Sequence, residues 1–151
     1  MSPERESEFD ALLAHISFFA TNVLRINPDD DIHPARTIGH LVSTHGKSRA
    51  LAGLRQAAND LVEETSNWSL DARTILDAAL RNAGVITLSA VARRYAARYK
   101  RILKRRNIKN ETEYHLINGI LVDQGNSMPD EERGRLQGLI DDYERTVNRT
   151  C

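Results

Sequence analysis

The stretch from Thr87 to Lys109 places apolar and basic side chains on opposite sides of one predicted helix. Its apolar residues recur at the spacing of an amphipathic helix, so one side faces a core and the other faces away. The apolar side consists of Leu88, Val91, Ala92, Tyr95, Tyr99, Ile102 and Leu103. The spacing predicts one continuous helix from Thr87 to Arg106 that crosses the centre of the fold.

The opposite side of this helix is basic, and no acidic residue occurs between Arg93 and Asn110. We call seven of its residues the basic face: Arg93, Arg94, Arg98, Lys100, Arg101, Lys104 and Arg105. Such a face is either a solvated surface balanced by acidic neighbours, a docking site for an acidic protein or a second copy of the chain, or a nucleic-acid contact.

Length and composition favour a single all-α domain. A chain of 151 residues is one typical domain, and its few prolines and many Ala, Leu, Arg and Glu residues favour helices. The apolar periods predict a compact bundle of six or seven helices covering residues 1–151. The last two helices, 111–123 and 128–148, are expected to form a hairpin around a turn at 124–126.

Several helix ends are marked by capping residues. Pro34 suits a first helical turn, and Ser69, Thr87 or Ser89, and Asn110 suit N-caps. Gly84 is typical of the position that ends a helix. The helix that begins after Ser69 is predicted to bury one apolar set: Leu70, Ile75, Leu76, Ala79 and Leu80.

Charge and cysteine content restrict location and partners. The formal net charge is zero, which argues against steering of the whole protein toward nucleic acid. The one cysteine, Cys151, allows no intramolecular disulfide. No long apolar run occurs and the first residues are polar, so a cytoplasmic protein with no membrane partner is expected.

Patterns that would carry catalysis or hold a metal fail on spacing. Gly46-Lys47-Ser48 resembles the end of a phosphate-binding loop, but Leu41 stands where the first glycine belongs. His33, His40 and His45 do not have the spacing of metal ligands on one helix face. We therefore expect no catalytic residue, no metal and no cofactor, and an enzyme is not expected.

Two local resemblances concern helices. Leu88–Tyr95 resembles the first helix of helix-turn-helix repressors, although the apolar period continues where a turn should follow. Ile108–Tyr114 with Arg135-Leu136 and Leu139–Glu144 resembles a helical hairpin of some bacterial antitoxins, except that Asn110 stands where threonine is usual. That resemblance implies hairpin packing of the last two helices, and a bacterial origin is expected.

Three functions remain from the sequence. The leading one is a non-enzymatic interaction or regulatory protein that binds a macromolecular partner through the basic face, either another protein or a second copy of itself. The alternative is a DNA- or RNA-associated protein that uses the same face. The third is a helical binder of a small ligand, or an enzyme, with a pocket that sequence cannot show.

Overall fold

A computed structural model describes residues 1–123 and 127–149 and confirms an all-α bundle. These residues contain eight α-helices, one 3-10 turn and no strand. The helices are α1 (Pro3–Asn22), α2 (Pro34–His45), α3 (Lys47–Glu64), α4 (Leu70–Asn82), α5 (Leu88–Tyr95), α6 (Ala97–Arg105), α7 (Glu111–Val122) and α8 (Asp130–Arg149), with the 3-10 turn at Thr65–Asn67. The expected turn at 124–126 and Cys151 lie outside the described residues.

The predicted continuous helix from Thr87 to Arg106 is wrong, because it is divided at Ala96. That residue has extended backbone angles, with φ −72° and ψ 119°, and separates α5 from α6. The Asn59 side chain on α3 accepts a hydrogen bond from the Ala97 N–H at 3.0 Å. A distant helix therefore supplies an acceptor at the break, and local helix propensity is overridden by a tertiary contact.

The core lies where α1, α3 and α5 meet. Helix α3 packs against α1, α2 and α5, while α5 also packs against α4 and α7. The predicted apolar side of residues 88–103 is buried at Leu88, Val91, Ala92, Tyr99 and Ile102. Because this stripe continues across the break, α5 and α6 remain joined to the same core. None of the helices in the described ranges is long and apolar enough to cross a membrane.

The capping residues fix where the helices begin. Ser69, Thr87 and Asn110 each accept a hydrogen bond from a backbone N–H of the following first turn, at 3.0–3.1 Å. Thr87, not Ser89, is therefore the N-cap of α5. Gly84 follows α4 with a φ of 71°, a conformation that favours glycine.

Helices α7 and α8 pack against one another. The rings of Tyr114 and Tyr143 stack with their centroids 5.3 Å apart, and the Tyr114 hydroxyl donates to Glu144 at 2.7 Å. Both helices are close to their expected bounds, although α8 begins at Asp130 and not at residue 128.

The predicted burial of α4 is wrong at three positions. Leu70 and Ile75 are 43% and 70% exposed, and Ala79 is exposed as well. The side that faces inward instead carries Leu76, Asp77 and Leu80, with Arg73 half-buried one turn earlier. These four residues have the i, i+3, i+4, i+7 spacing of one helix face. The apolar pattern of the sequence therefore does not reveal that two charged residues, Arg73 and Asp77, lie on the inward side of α4.

Candidate functional site

Three residues of the basic face form ion pairs with other helices. Arg93 donates to both carboxylate oxygens of Glu132 on α8, from Nε at 3.0 Å and from Nη2 at 2.6 Å. Arg98 donates to Glu63 at 2.9 Å, and Arg105 pairs with Glu113. All six side chains are at most 37% exposed. These three cations link α5 and α6 to α8, α3 and α7.

Four residues of the basic face stay on the surface. Arg94, Lys100, Arg101 and Lys104 are exposed and form no ion pair among the residues that the structure describes. Arg94 lies over the ring of Tyr95, with its guanidinium 5.5 Å from the ring centroid. We call Lys100, Arg101 and Lys104 the α6 basic surface, since they share one side of α6.

The tyrosines of this region are held by carboxylates of the protein. The Tyr95 hydroxyl donates to Glu8 at 2.6 Å, and the Tyr99 hydroxyl donates to Glu132 at 2.7 Å. Burial and the bond to Glu8 raise the pKa of Tyr95 to about 12. Neither ring is presented as a platform on which nucleic-acid bases stack.

A cavity of about 270 Å³ lies between α4 and α7, with α5 along its wall. The end of α3, the 3-10 turn and the Arg98 side chain complete its lining. Part of the wall is apolar, including Leu88, Ala92, Leu116 and Ile120. Val122 also lines the cavity and is 63% exposed.

Arg73 on α4 brings an unpaired cation to this cavity. Its Nε and Nη2 atoms are buried, and neither has a hydrogen-bond partner among the described residues. Burial lowers the pKa of Arg73, and the nearby Asp77 charge opposes that shift only in part. Leaving a buried donor unsatisfied costs about 1–3 kcal/mol, so two such atoms on one charged group are a substantial local cost.

His115 on α7 contributes a second buried polar atom to the lining. Its Nδ1 has no hydrogen-bond partner among the described residues, while its Nε2 lies 3.3 Å from a carboxylate oxygen of Glu111. Arg73 and His115 therefore both line the cavity, from two different helices, and each has buried side-chain nitrogens without a hydrogen-bond partner among the described residues.

The cavity carboxylates are engaged elsewhere, which explains why they leave Arg73 unpaired. Asp77 accepts from the Leu88 N–H at 2.8 Å and from the Ser89 hydroxyl at 2.6 Å. Asp123 accepts from Arg81 and from Thr87, both at 2.6 Å. Burial raises the pKa of Asp77, although its two donors oppose that shift. Both carboxylates fix the beginning of α5.

Sequence reasoning missed Arg73, Asp77 and His115. The available signal was the face of α4 formed by residues 73, 76, 77 and 80, which mixes two leucines with two opposite charges. A second apolar set on the same helix, which includes the exposed Ile75, was the more apparent pattern in the sequence. Nothing in the sequence indicated that α7 would place His115 at the same cavity.

Comparison with protein families, with curated proteins and with solved structures finds no match to this chain. Over residues 1–123 and 127–149, no group of three or more His, Cys, Asp or Glu side chains is arranged to hold a metal ion. The site is therefore interpreted from its own geometry.

Proposed function

We propose that this protein binds a small organic ligand in the cavity between α4, α5 and α7. The observation that supports this proposal is the pair of unsatisfied polar side chains, Arg73 and His115, on a cavity wall that is otherwise partly apolar. Ligand sites typically combine an apolar lining with a few convergent polar groups. At about 270 Å³ the cavity lies just below the usual range of about 300–1,000 Å³, so it suits a small ligand.

The proposal is for binding, without a chemical step. Both oxygens of Asp77 and both of Asp123 already accept hydrogen bonds from the protein. The Ser89 hydroxyl donates to Asp77, which also accepts from the Leu88 N–H, so this pair takes part in holding the beginning of α5. The groups left to a ligand, Arg73 and His115, recognise and orient it.

Variants that fill the cavity test this proposal. A Cβ added at Gly119 on α7 makes an ordinary van der Waals contact with the Ser89 Oγ at 3.7 Å, and since both residues line the cavity, a larger side chain there occupies cavity space. We expect Gly119→Leu to abolish the thermal shifts that a panel of small polar and apolar compounds produces in the native protein. Ala78→Leu, which enters from the opposite wall, is a second variant with the same expected result.

Gly134→Leu is the matched control, because Gly134 lies on an exposed part of α8 and its added Cβ has open space around it. It should keep every thermal shift of the native protein. Two results reject the proposal: a native protein that responds to no compound in the panel, or two filled variants that fold and respond as the native protein does.

A second candidate function is an interaction with an acidic macromolecular partner through the α6 basic surface. It is supported by Lys100, Arg101 and Lys104, which are exposed and without ion pairs in the described residues, whereas Arg93, Arg98 and Arg105 are paired within the fold. Another protein or a second copy of the chain is the preferred partner, since the neighbouring tyrosines are engaged. A DNA or RNA partner is the alternative, and a cytoplasmic location belongs to this proposal.

Charge removal tests this second candidate. We expect the triple variant Lys100→Gln, Arg101→Gln, Lys104→Gln to lose binding to polyglutamate, while Arg25→Gln with Arg49→Gln, two exposed cations elsewhere, retains it. Titration with duplex DNA and single-stranded RNA from about 50 to 200 mM salt separates the alternatives, because phosphate contacts weaken steeply with salt. Equal binding by the triple variant and the control would reject a role for this surface.

A further inference from the structure

Two arginines of the described residues pair one edge of the guanidinium, formed by Nε and Nη2, with both oxygens of a single carboxylate. In Arg55 these two atoms donate to the two carboxylate oxygens of Glu8, at 2.9 and 2.6 Å. In Arg93 they donate to the two oxygens of Glu132, at 3.0 and 2.6 Å. The planar fork of arginine matches the two oxygens of a carboxylate, and such side-on pairs are among the strongest hydrogen-bonded contacts in proteins.

Arg73 presents this edge to no acceptor. The buried unpartnered atoms of its side chain are Nε and Nη2, the same two that hold Glu8 and Glu132 on the other arginines. No carboxylate in the described residues forms an ion pair with it. Asp77 lies one turn after Arg73 on the same face of α4, and both of its oxygens accept hydrogen bonds from the beginning of α5.

We infer that the cavity ligand carries a carboxylate that pairs side-on with Nε and Nη2 of Arg73. This inference rests on the proposed function, since it names the chemical class of the ligand that the cavity binds. The ligand oxygens take the place at Arg73 that Glu132 takes at Arg93.

Arg73 is the one arginine of the cavity lining without a hydrogen-bonded carboxylate in the described residues, so the lining offers one place for an anionic group. Its lining has three arginines and three acidic residues. Arg81 is paired with Asp123 and Arg98 with Glu63, which leaves Arg73 beside an Asp77 that accepts two hydrogen bonds from neutral groups. A second anionic group would lie near these carboxylates without a free cation to meet it, and like charges repel strongly where water is excluded.

The rest of the ligand is apolar. Leucine, isoleucine, valine and alanine side chains line the cavity beside Arg73, and burying apolar surface against them adds about 25 cal/mol per Å². His115 Nδ1 is the one other unsatisfied polar atom in this part of the described structure, and because Nε2 donates to Glu111, Nδ1 accepts and suits a single hydroxyl of the ligand. A short aliphatic or aromatic monocarboxylic acid fits these requirements.

Paired probes that differ only in charge test the inference. Ligand-observed NMR compares hexanoate with hexanamide and benzoate with benzamide, and phthalate tests a second charge. We expect each monocarboxylate to bind the native protein at least about tenfold more tightly than its amide, which corresponds to about 1.4 kcal/mol. Phthalate should bind more weakly than benzoate.

Substitutions of Arg73 separate the side-on pair from simple charge attraction. Arg73→Lys keeps the positive charge but loses the planar edge, so we expect benzoate affinity to fall by about tenfold. Arg73→Gln should leave the acid and its amide with equal affinities. Arg49→Lys, at an exposed position of α3, is the matched control and should bind as the native protein does.

The outcomes distinguish a failure of the carboxylate inference from a failure of the proposed ligand binding. If acids and amides bind equally and Gly119→Leu abolishes both, the cavity binds ligands but the carboxylate inference is wrong. If acids bind better and Arg73→Gln makes no difference, the charge is recognised at another position and the inference is also wrong. If no probe and no compound of the wider panel binds, the carboxylate inference and the proposed function are both rejected.

Discussion

Arg93 and Arg73 have the same chemistry and opposite surroundings. Both guanidiniums are largely removed from water and project from helices that pack on the same core. At Arg93 a different helix, α8, supplies Glu132, whereas at Arg73 the acid on the same face, Asp77, lies on its own helix and already accepts two hydrogen bonds. The contrast shows that helix pairing decides which buried cation is neutralised. It also identifies the cavity beside Arg73 as the place where an anion is lacking.

The largest expected effect comes from removing Arg93, the arginine that is paired with a carboxylate. Arg93→Met removes two charge-assisted hydrogen bonds and leaves Glu132 with the Tyr99 hydroxyl alone. We expect a loss of about 2 kcal/mol in the free energy of unfolding, measured by urea denaturation. A loss below about 0.5 kcal/mol would place this pair among ordinary surface ion pairs and weaken the comparison.

The same substitution at the unsatisfied arginine should have the opposite sign. Arg73→Met removes a buried charge with two unpaired N–H groups, so in the absence of ligand we expect the free energy of unfolding to rise by about 1 kcal/mol. Arg49→Met, at an exposed site, is the control and should change it little. A loss as large as that of Arg93→Met would mean that Arg73 is satisfied in the folded protein.

His15 is a second buried side chain with an unpaired nitrogen, and unlike an arginine it is able to lose its charge. Its Nδ1 donates to the Ile86 carbonyl at 2.7 Å, and its buried Nε2 has no partner among the described residues. Burial lowers the pKa of His15 below its ordinary value of 6.5, against the smaller opposing influence of the Ile86 carbonyl. The folded protein therefore holds His15 neutral.

This difference predicts a pH dependence. Below pH 6.5 the unfolded chain takes up a proton at His15 that the folded state does not, so stability falls as the pH is lowered. We expect the free energy of unfolding to fall between pH 7 and 5.5, and His15→Gln to remove most of that fall. An unchanged slope in His15→Gln would show that another group titrates.

Features of the fold that depend on a single helix can be predicted from the sequence, whereas features that depend on contacts between residues far apart in the chain cannot. The burial of Leu88, Val91 and Ile102 follows from their spacing, because one helix face suffices to define it. The break at Ala96 does not, because an acceptor at that position comes from Asn59 on another helix. The local apolar pattern is therefore enough to predict the helices, but it does not predict where a helix is broken.

The candidate site depends still more on distant contacts. The pairing of Arg93 with Glu132 spans 39 positions, and only the placement of α8 brings them together. Whether Arg73 is satisfied depends in the same way on which helices surround α4. In sequence both arginines are simply cations on helices, so the basic face at residues 93–105 attracted the functional prediction and Arg73 did not.

The smallest expected effect tests whether the space beside Gly119 is as open as the cavity requires. Glycine inside a helix costs about 0.5–1 kcal/mol relative to alanine. Gly119→Ala and Gly134→Ala should therefore each raise the free energy of unfolding by about 0.5 kcal/mol, since neither added Cβ comes closer than 3.7 Å to a neighbouring atom. Of the two, only Gly119→Ala narrows the cavity, so it alone should weaken benzoate binding. If Gly119→Ala destabilises the protein while Gly134→Ala stabilises it, α5 and α7 lie closer together than this cavity allows.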